Sequence, residues 1–240
     1  MRIWPQLALF LVILALTVLG WLRPWQSWLP IRHVRVQGVF AHIDQAQVEQ
    51  SLLPVVNTGF LAVDLRQIEQ QALSLPWVRA AKIRRVWPDT LDIRLYEQVP
   101  VARWRGKALV NDQGQLFIPE HLENFRHLPL LIGPEAQPQR SVATLLNVQE
   151  HLADHNLLLT ELQISASRAW RLKLAPELEI MLGTRQQATR LDQLLNALAL
   201  FEPDQRTAMA RIDMRYPNGF SVAWQADSPA FNWRKIAQRH

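Results

Sequence analysis

The chain contains no cysteine. It can therefore form no disulfide framework and offers neither a thiol nucleophile nor a Cys-type zinc site, although an oxidising compartment stays open to it. Acid is the scarcer charge, with 21 Asp and Glu against 26 Lys and Arg and a formal net charge of +5. That balance attracts nucleic acid, an anionic membrane surface or an acidic partner alike. Internal repeats and low-complexity tracts are missing too. With 49% hydrophobic and 20% charged positions, the 240 residues describe a globular chain with room for one large or two small domains.

Patterns that carry catalysis are equally scarce. His151 and His155 stand four apart on a predicted helix, a spacing that can present two imidazoles to a metal. No Glu follows His151, so the H-E-x-x-H pattern is broken, and a polar helix surface explains both histidines. Ser165 and Ser167 belong to no G-x-S-x-G elbow, and NDQG (111–114) lacks the further acidic ligands of a calcium loop. The expectation is a protein with no catalytic centre, no metal and no cofactor.

What is present begins at the N-terminus. LALFLVILALTVLGWL (7–22) lies inside an uncharged window, 3–22, bounded by Arg2 and Arg23. At about 1.5 Å per residue such a window spans roughly 30 Å, enough to cross a bilayer core as a helix. Trp21, Trp25 and Trp28 follow at its distal end, where indoles favour the headgroup layer. A cleaved signal peptide would want a shorter apolar region and a small-x-small site, whereas VLGWLRPWQSW is bulky. The expectation is an uncleaved anchor. Arg2 on one side faces Arg23, Arg32 and Arg35 on the other, so charge alone does not orient it.

Pro24 and Pro30 bracket a short linker, after which IRHVRVQGV (31–39) alternates like a half-buried strand ending near Gly38. Asp44 can cap a helix carrying Val48, Leu52 and Leu53, and Asp64 another carrying Leu65, Ile68, Ala72 and Leu73, with NTGF (57–60) as the turn between them. WVRAAKIRRVW (77–87) reads as a strand, PDT turns the chain, and LDIRLYEQ sets Leu91, Ile93 and Leu95 against Asp92, Arg94 and Tyr96. The order is β-α-α-β-β. The remainder is mainly β: a hairpin over 108–118, a short strand at LPLLIGP (128–134), a helix near 141–155, strands in ELQISAS, AWRLKLA and LEIMLG, an amphipathic helix over 184–201, and two final runs around Pro217-Asn218-Gly219. A basic tail, 225–240, closes the chain.

This arrangement resembles the bacterial DivIB/FtsQ cell-division family, whose first periplasmic unit is a POTRA domain. The strings carrying the resemblance are HVRVQGV, LPWVRAAKIRRVWPDTLDIRLYEQVPVARW, LVNDQGQLF, LPLLIGP, AWRLKL, IMLG and IDMRYPNGFSVAW, spread through most of 31–224 in the family's order. The resemblance implies an α+β protein: a short cytoplasmic tail (1–6), a single transmembrane anchor with its juxtamembrane segment (7–28), a POTRA domain (31–98), a mainly antiparallel β domain with flanking helices (99–224) and a C-terminal tail (225–240). It implies an inner-membrane protein with its bulk in the periplasm at the division septum. Six residues precede Leu7, fewer than the cytoplasmic tail of many family members, so little cytoplasmic binding is expected.

Two surfaces follow from these readings. An edge strand offers N–H and C=O groups that an extended partner segment can complete. In the family the last strands receive FtsB in this way, and by resemblance the interface falls on Arg215, Tyr216, Asn218, Gly219, Phe220, Val222 and Trp224, with Arg168 in the preceding hairpin. Taken without the resemblance, the same run is an ordinary terminal hairpin with Val222 and Trp224 packed inward. The implied partners are FtsB and FtsL, with FtsK recruiting through the POTRA region and an indirect effect on the septal peptidoglycan synthase complex. The second surface is basic: Arg79, Lys82, Arg84, Arg85, Arg94, Arg103 and Arg105 suit phosphates, but beyond a membrane anchor an anionic membrane or an acidic protein surface fits better than nucleic acid. Trp77, Trp87, Trp104 and Trp170 lie in apolar strand contexts, where core packing is the expected job for most of them. A POTRA-containing component of outer-membrane protein assembly or secretion is the competing reading, although such proteins normally continue into a large β-barrel for which this chain has no room.

Overall fold

The structure is a computed structural model that describes residues 13, 14, 17, 30–56, 59–216 and 219–226. Most of the expected anchor, the linker 23–29, the turn residues Asn57, Thr58, Pro217 and Asn218, and the tail from Asp227 onward lie outside the described residues. Ile13, Leu14 and Thr17 are helical, and the Thr17 hydroxyl donates to the carbonyls of Ile13 (3.0 Å) and Leu14 (2.8 Å). No helix among the described residues is long and apolar enough to cross a membrane. The chain divides into two compact units, Met1–Gln98 and Val99–His240.

In the first unit, β1 (His33–Gln37), α1 (Gln45–Val56), α2 (Leu65–Leu73), β2 (Val78–Val86) and β3 (Thr90–Glu97) follow in the expected order. Both helices start on their aspartates: the Asp44 carboxylate accepts from the Ala46 N–H (3.0 Å) and that of Asp64 from the Arg66 N–H (2.9 Å), filling donors that a helix start leaves open. Val48, Leu52, Ile68 and Ala72 turn one face of each helix onto the sheet, where Leu91, Ile93 and Leu95 of β3 meet them. Leu53 and Leu73 depart from expectation. They are 57% and 44% exposed because each sits one position, about 100°, round from the buried stripe.

The sheet order is β1-β3-β2, with β1 parallel and β2 antiparallel to the central β3. Central position changes the fate of Asp92, which alternation places on the solvated face. It is only 2% exposed, because Arg35 and Arg84 flank it in register and Arg84 lies across it, its Nε donating to Oδ2 at 2.7 Å and its Nη2 at 2.6 Å. Its other oxygen, Oδ1, has no partner among the described residues.

Among the described residues the second unit is one sheet of nine strands in the order β12-β11-β10-β9-β8-β7-β4-β5-β6. Its strands are β4 (Pro100–Trp104), β5 (Ala108–Asn111), β6 (Leu116–Phe117), β7 (Leu130–Ile132), β8 (Leu159–Ile164), β9 (Trp170–Leu174), β10 (Leu178–Gly183), β11 (Met209–Asp213) and β12 (Ser221–Trp224). Five of the eight strand contacts are antiparallel, and three are parallel: β4 with β7, β7 with β8, and β10 with β11. Parallel neighbours need a crossover, which α3 (Pro138–Ala153) supplies between β7 and β8, and which α4 (Gln187–Leu198) and the short α5 (Pro203–Thr207) supply between β10 and β11. Both long helices cover the same face. Val142, Leu145, Val148 and Leu152 of α3 and Leu191, Leu194, Leu195 and Leu198 of α4 join one core with Leu162, Leu172, Ile180 and Ile212. Each such fully buried Leu or Ile contributes about 2 kcal/mol.

Candidate partner-binding site

A single row of side chains explains how the terminal strand is placed. Leu162 of β8, Leu172 of β9, Ile180 of β10, Ile212 of β11 and Val222 of β12 are successive cross-strand partners, the first four completely buried and Val222 partly so. Val222 is thus the outermost rung of the core-facing row. Trp224 stands opposite Met209 and, with Phe220, packs against the same core. These three aromatic and aliphatic side chains face inward, as an ordinary terminal hairpin would have them, and the outward positions of β12 are Ser221 and Ala223. No strand lies beyond β12 among the described residues.

The outward face carries a different row. Glu161, Lys173, Glu179 and Arg211 alternate in sign from β8 to β11, with Lys173 Nζ 2.9 Å from Glu161, Arg211 Nε 2.6 Å from Glu179, and Arg171 closing on Glu179 at 3.4 Å. Ala223 of β12 ends this row next to Arg211.

Arg215 and Tyr216 form the approach to β12. The Arg215 guanidinium grips Asp213 as a fork: Nε reaches Oδ1 at 2.9 Å and Oδ2 at 3.0 Å, Nη2 reaches Oδ2 at 2.6 Å, and the Arg215 N–H donates to Oδ1 at 3.0 Å. The side-chain bonds from Arg215 are the main cause holding the Asp213 carboxyl below its ordinary range, against the opposing effect of burial. The same bonds raise the Arg215 pKa. Gly183, at the end of β10, has φ +76°, and a Cβ there would lie 3.2 Å from Arg215 Cγ, so a side chain would be strained and would crowd the fork. Tyr216 is 56% exposed, Gly219 is open to solvent, and Asn218 lies outside the described residues.

Arg168 sits apart from the strand. It occupies the tight β8–β9 turn at φ 64°, its N–H donating to Ser165 O (2.9 Å) and its carbonyl accepting from Gln187 Nε2 (2.8 Å). That turn is at the Arg215 end of the sheet, since Trp170 pairs with Gly183 and Met181 with Asp213, but β9 is three strands in from β12, roughly 14 Å. Asp213, Ser221 and Ala223 escaped sequence reasoning. The spacing of Asp213 and Arg215, two residues apart on one side of a strand end, was the available signal for the fork.

Other expectations are sorted by the same geometry. His155 lies past the end of α3, while His151 places Nδ1 2.7 Å from Asn147 O and Nε2 3.4 Å from Asp192 Oδ1, so the two do not share a helix face. No group of three or more His, Asp or Glu among the described residues could hold a metal. The basic cluster splits. Arg85 donates to the carbonyls of Phe60 and Val63, Arg103 to that of Leu128, and Arg105 to Glu135, whereas Lys82, Arg84 and Arg94 share the open face of the first sheet. Among the tryptophans, Trp104 is buried, Trp77 stacks on His42 at 4.2 Å and Trp170 packs partly on the core, but Trp87 is 78% exposed.

Comparison with known proteins covers both units. Residues 29–98 match the description "POTRA domain, FtsQ-type", and residues 102–215 match "Cell division protein FtsQ/DivIB, C-terminal". The protein named "Cell division protein FtsQ" from Methylomonas methanica is 37% identical over 211 residues, covering 88% of this chain and 85% of its own. Its namesake in Allochromatium vinosum is 36% identical over 216 residues (89% and 86%), and that in Xanthomonas campestris pv. campestris 34% over 214 (88% and 76%).

Proposed function

Since the chain belongs to the FtsQ/DivIB family of cell-division proteins, we propose that it is a non-catalytic scaffold of the inner membrane, with its bulk in the periplasm, that captures FtsB and FtsL at the division septum by strand addition to β12. The observation that carries this reading is the place of β12 at the end of the nine strands among the described residues, whose core row it completes. An incoming extended segment would continue a rigid, well-packed ladder there instead of a loose hairpin. Arg215, locked on Asp213, and the exposed Tyr216 flank the entry, Ser221 and Ala223 present the outward face, and Val222 and Trp224 act from beneath by holding the strand flat. Arg168 then belongs to the rim of the contact.

The apolar window 3–22 would confine the chain to the membrane plane. Partners anchored in the same membrane meet it at a raised effective concentration, so a moderate interface suffices. FtsK would recruit the chain through the POTRA unit, and the effect on the septal peptidoglycan synthase complex would be indirect.

The test is binding of the full chain, reconstituted in nanodiscs, to the periplasmic portion of an FtsB–FtsL pair. Wild type is expected to bind, and Tyr216→Ala, still folded by circular dichroism, to bind at least tenfold more weakly, about 1.4 kcal/mol. Unchanged binding by Tyr216→Ala and by Ser221→Pro, or no binding by wild type at tens of micromolar, would overturn the strand-addition reading.

A further inference from the structure

The exposed Trp87 stands at the tip of the β2–β3 hairpin beside Val86, which is 38% exposed. Because β1 runs parallel to β3 and begins at the same end, His33 pairs with Thr90, and the Arg32 N–H donates to Asp89 O at 3.0 Å. The chain therefore enters the first unit beside this tip. Pro30 is eight residues after Leu22, the last residue of the apolar window, a separation of at most about 29 Å. Among the described aromatic side chains of the unit, the most exposed thus sits at the end where the chain following that window enters.

The sheet face running back from the tip is basic and imbalanced. Alternation puts Arg35, Asp92 and Arg84 in one rung and Gln37, Arg94 and Lys82 in the next, about 7 and 14 Å from the tip. Lys82 lies directly opposite Arg94, an arrangement of like charges that destabilises a sheet. Nothing acidic on the sheet relieves it: Arg94 leans on Gln37 (3.3 Å), Lys82 on the Tyr96 ring (5.6 Å), and Asp92 is taken by Arg84. Around the tip and face, Arg32, Arg35, Lys82, Arg84 and Arg94 stand against Asp89, Asp92 and, from α2 at the margin, Glu69, so cations still exceed carboxylates. Two shallow, open hollows mark the face, one bordered by Lys82, Arg84 and Arg94 and the other by Gln37, Arg94 and Tyr96.

We propose that this end of the first unit is a membrane contact: Trp87 enters the headgroup layer, and the cations behind it lie over anionic lipid headgroups. The inference rests on the reading of 3–22 as a membrane anchor, which brings the tip within reach of a bilayer. An amphipathic indole at the tip favours the interface, and each nearby Lys or Arg adds attraction to an anionic surface that salt screens. The lipid supplies the negative charge that the sheet lacks, which explains why Lys82 and Arg94 are tolerated side by side. It also gives the first unit a fixed posture on the membrane.

The absence of cysteine makes a direct test available. Val86→Cys in the full chain carries an environment-sensitive fluorophore, and the protein is reconstituted in vesicles of phosphatidylcholine alone or with about a third phosphatidylglycerol, each doped with headgroup spin-labelled lipid. Strong quenching is expected in the anionic vesicles, reduced roughly three- to tenfold by 0.5 M salt, by Trp87→Ser, or by Arg35→Gln with Lys82→Gln. A label at Leu200→Cys reports non-specific collapse, and thermal melts check that the variants fold. An unquenched Val86 label on chain that resists alkaline extraction would overturn the inference and leave the anchor standing, whereas chain extracted by alkali would remove the anchor and the inference with it. Quenching equal in both vesicle types and insensitive to salt also overturns it, as does an unquenched face that instead binds soluble poly-glutamate, which assigns it to an acidic protein.

Discussion

Two sheets of one chain handle the same problem differently. Each is covered by helices on one face and open on the other, so each must place charged side chains in neighbouring outward positions. In the nine-stranded sheet the outward row alternates in sign, Glu161, Lys173, Glu179 and Arg211, and neutralises itself. In the three-stranded sheet the outward rungs set Lys82 opposite Arg94 and surround one buried carboxylate with Arg35 and Arg84. A balanced face neutralises itself, while an imbalanced one is left to solvent, counterions or a negative surface. In the two proposals above, the larger sheet engages a partner by its edge and the smaller one by its face.

The sharpest break in that comparison is made in the core of the larger sheet. Ile180→Ala removes a fully buried side chain from the centre of the row that ends at Val222 and is expected to cost about 3–4 kcal/mol, against about 1 kcal/mol for Val222→Ala at the edge. Urea unfolding followed by far-UV circular dichroism checks both, and equal losses would mean that β12 is packed as firmly as the centre.

Next comes a pH dependence confined to the larger sheet. The folded pKa of Asp213 is depressed by Arg215, so the stability it confers is present above the unfolded carboxyl pKa, about 4, and is lost as pH falls through the lower folded value. Asp213→Asn is therefore expected to be less stable than wild type at pH 7, with the two urea midpoints converging as the pH drops well below 4. A constant gap between them would show that the carboxylate acts by shape and not by charge.

The smallest effect has the opposite sign. Lys82→Glu turns the like-charged pair with Arg94 into an opposite-charged one and should stabilise the first unit by about 0.5 kcal/mol in low salt, with the gain shrinking as salt rises. A loss of stability instead would mean that the face is already balanced by groups other than those in register.

Much of the fold was legible because its signals are local. Asp44 and Asp64 cap the helices they precede, and Leu91, Ile93 and Leu95 alternate into the core. The residues expected at the partner surface are placed unevenly. Arg215 and Tyr216 stand exposed where a partner can reach them, but Val222 and Trp224 face inward, and Arg168 lies three strands away. Trp87 shares its apolar strand context with the packed Trp104, and only the position of a hairpin tip separates them.

The sequence by itself determined most of the helices and strands and their order, though not β4, the short α5 or the outward turn of Leu53 and Leu73, since periodicity and capping are properties of residues a few positions apart. The strings of the two units also carry the family. Only the tertiary structure decided which strands are neighbours: that β12 ends the larger sheet among the described residues, that Asp92 disappears between Arg35 and Arg84, and that Lys82 meets Arg94 across two strands. Strand pairing joins residues far apart in the chain, and alternation names two faces without saying what lies beside each residue or what covers it.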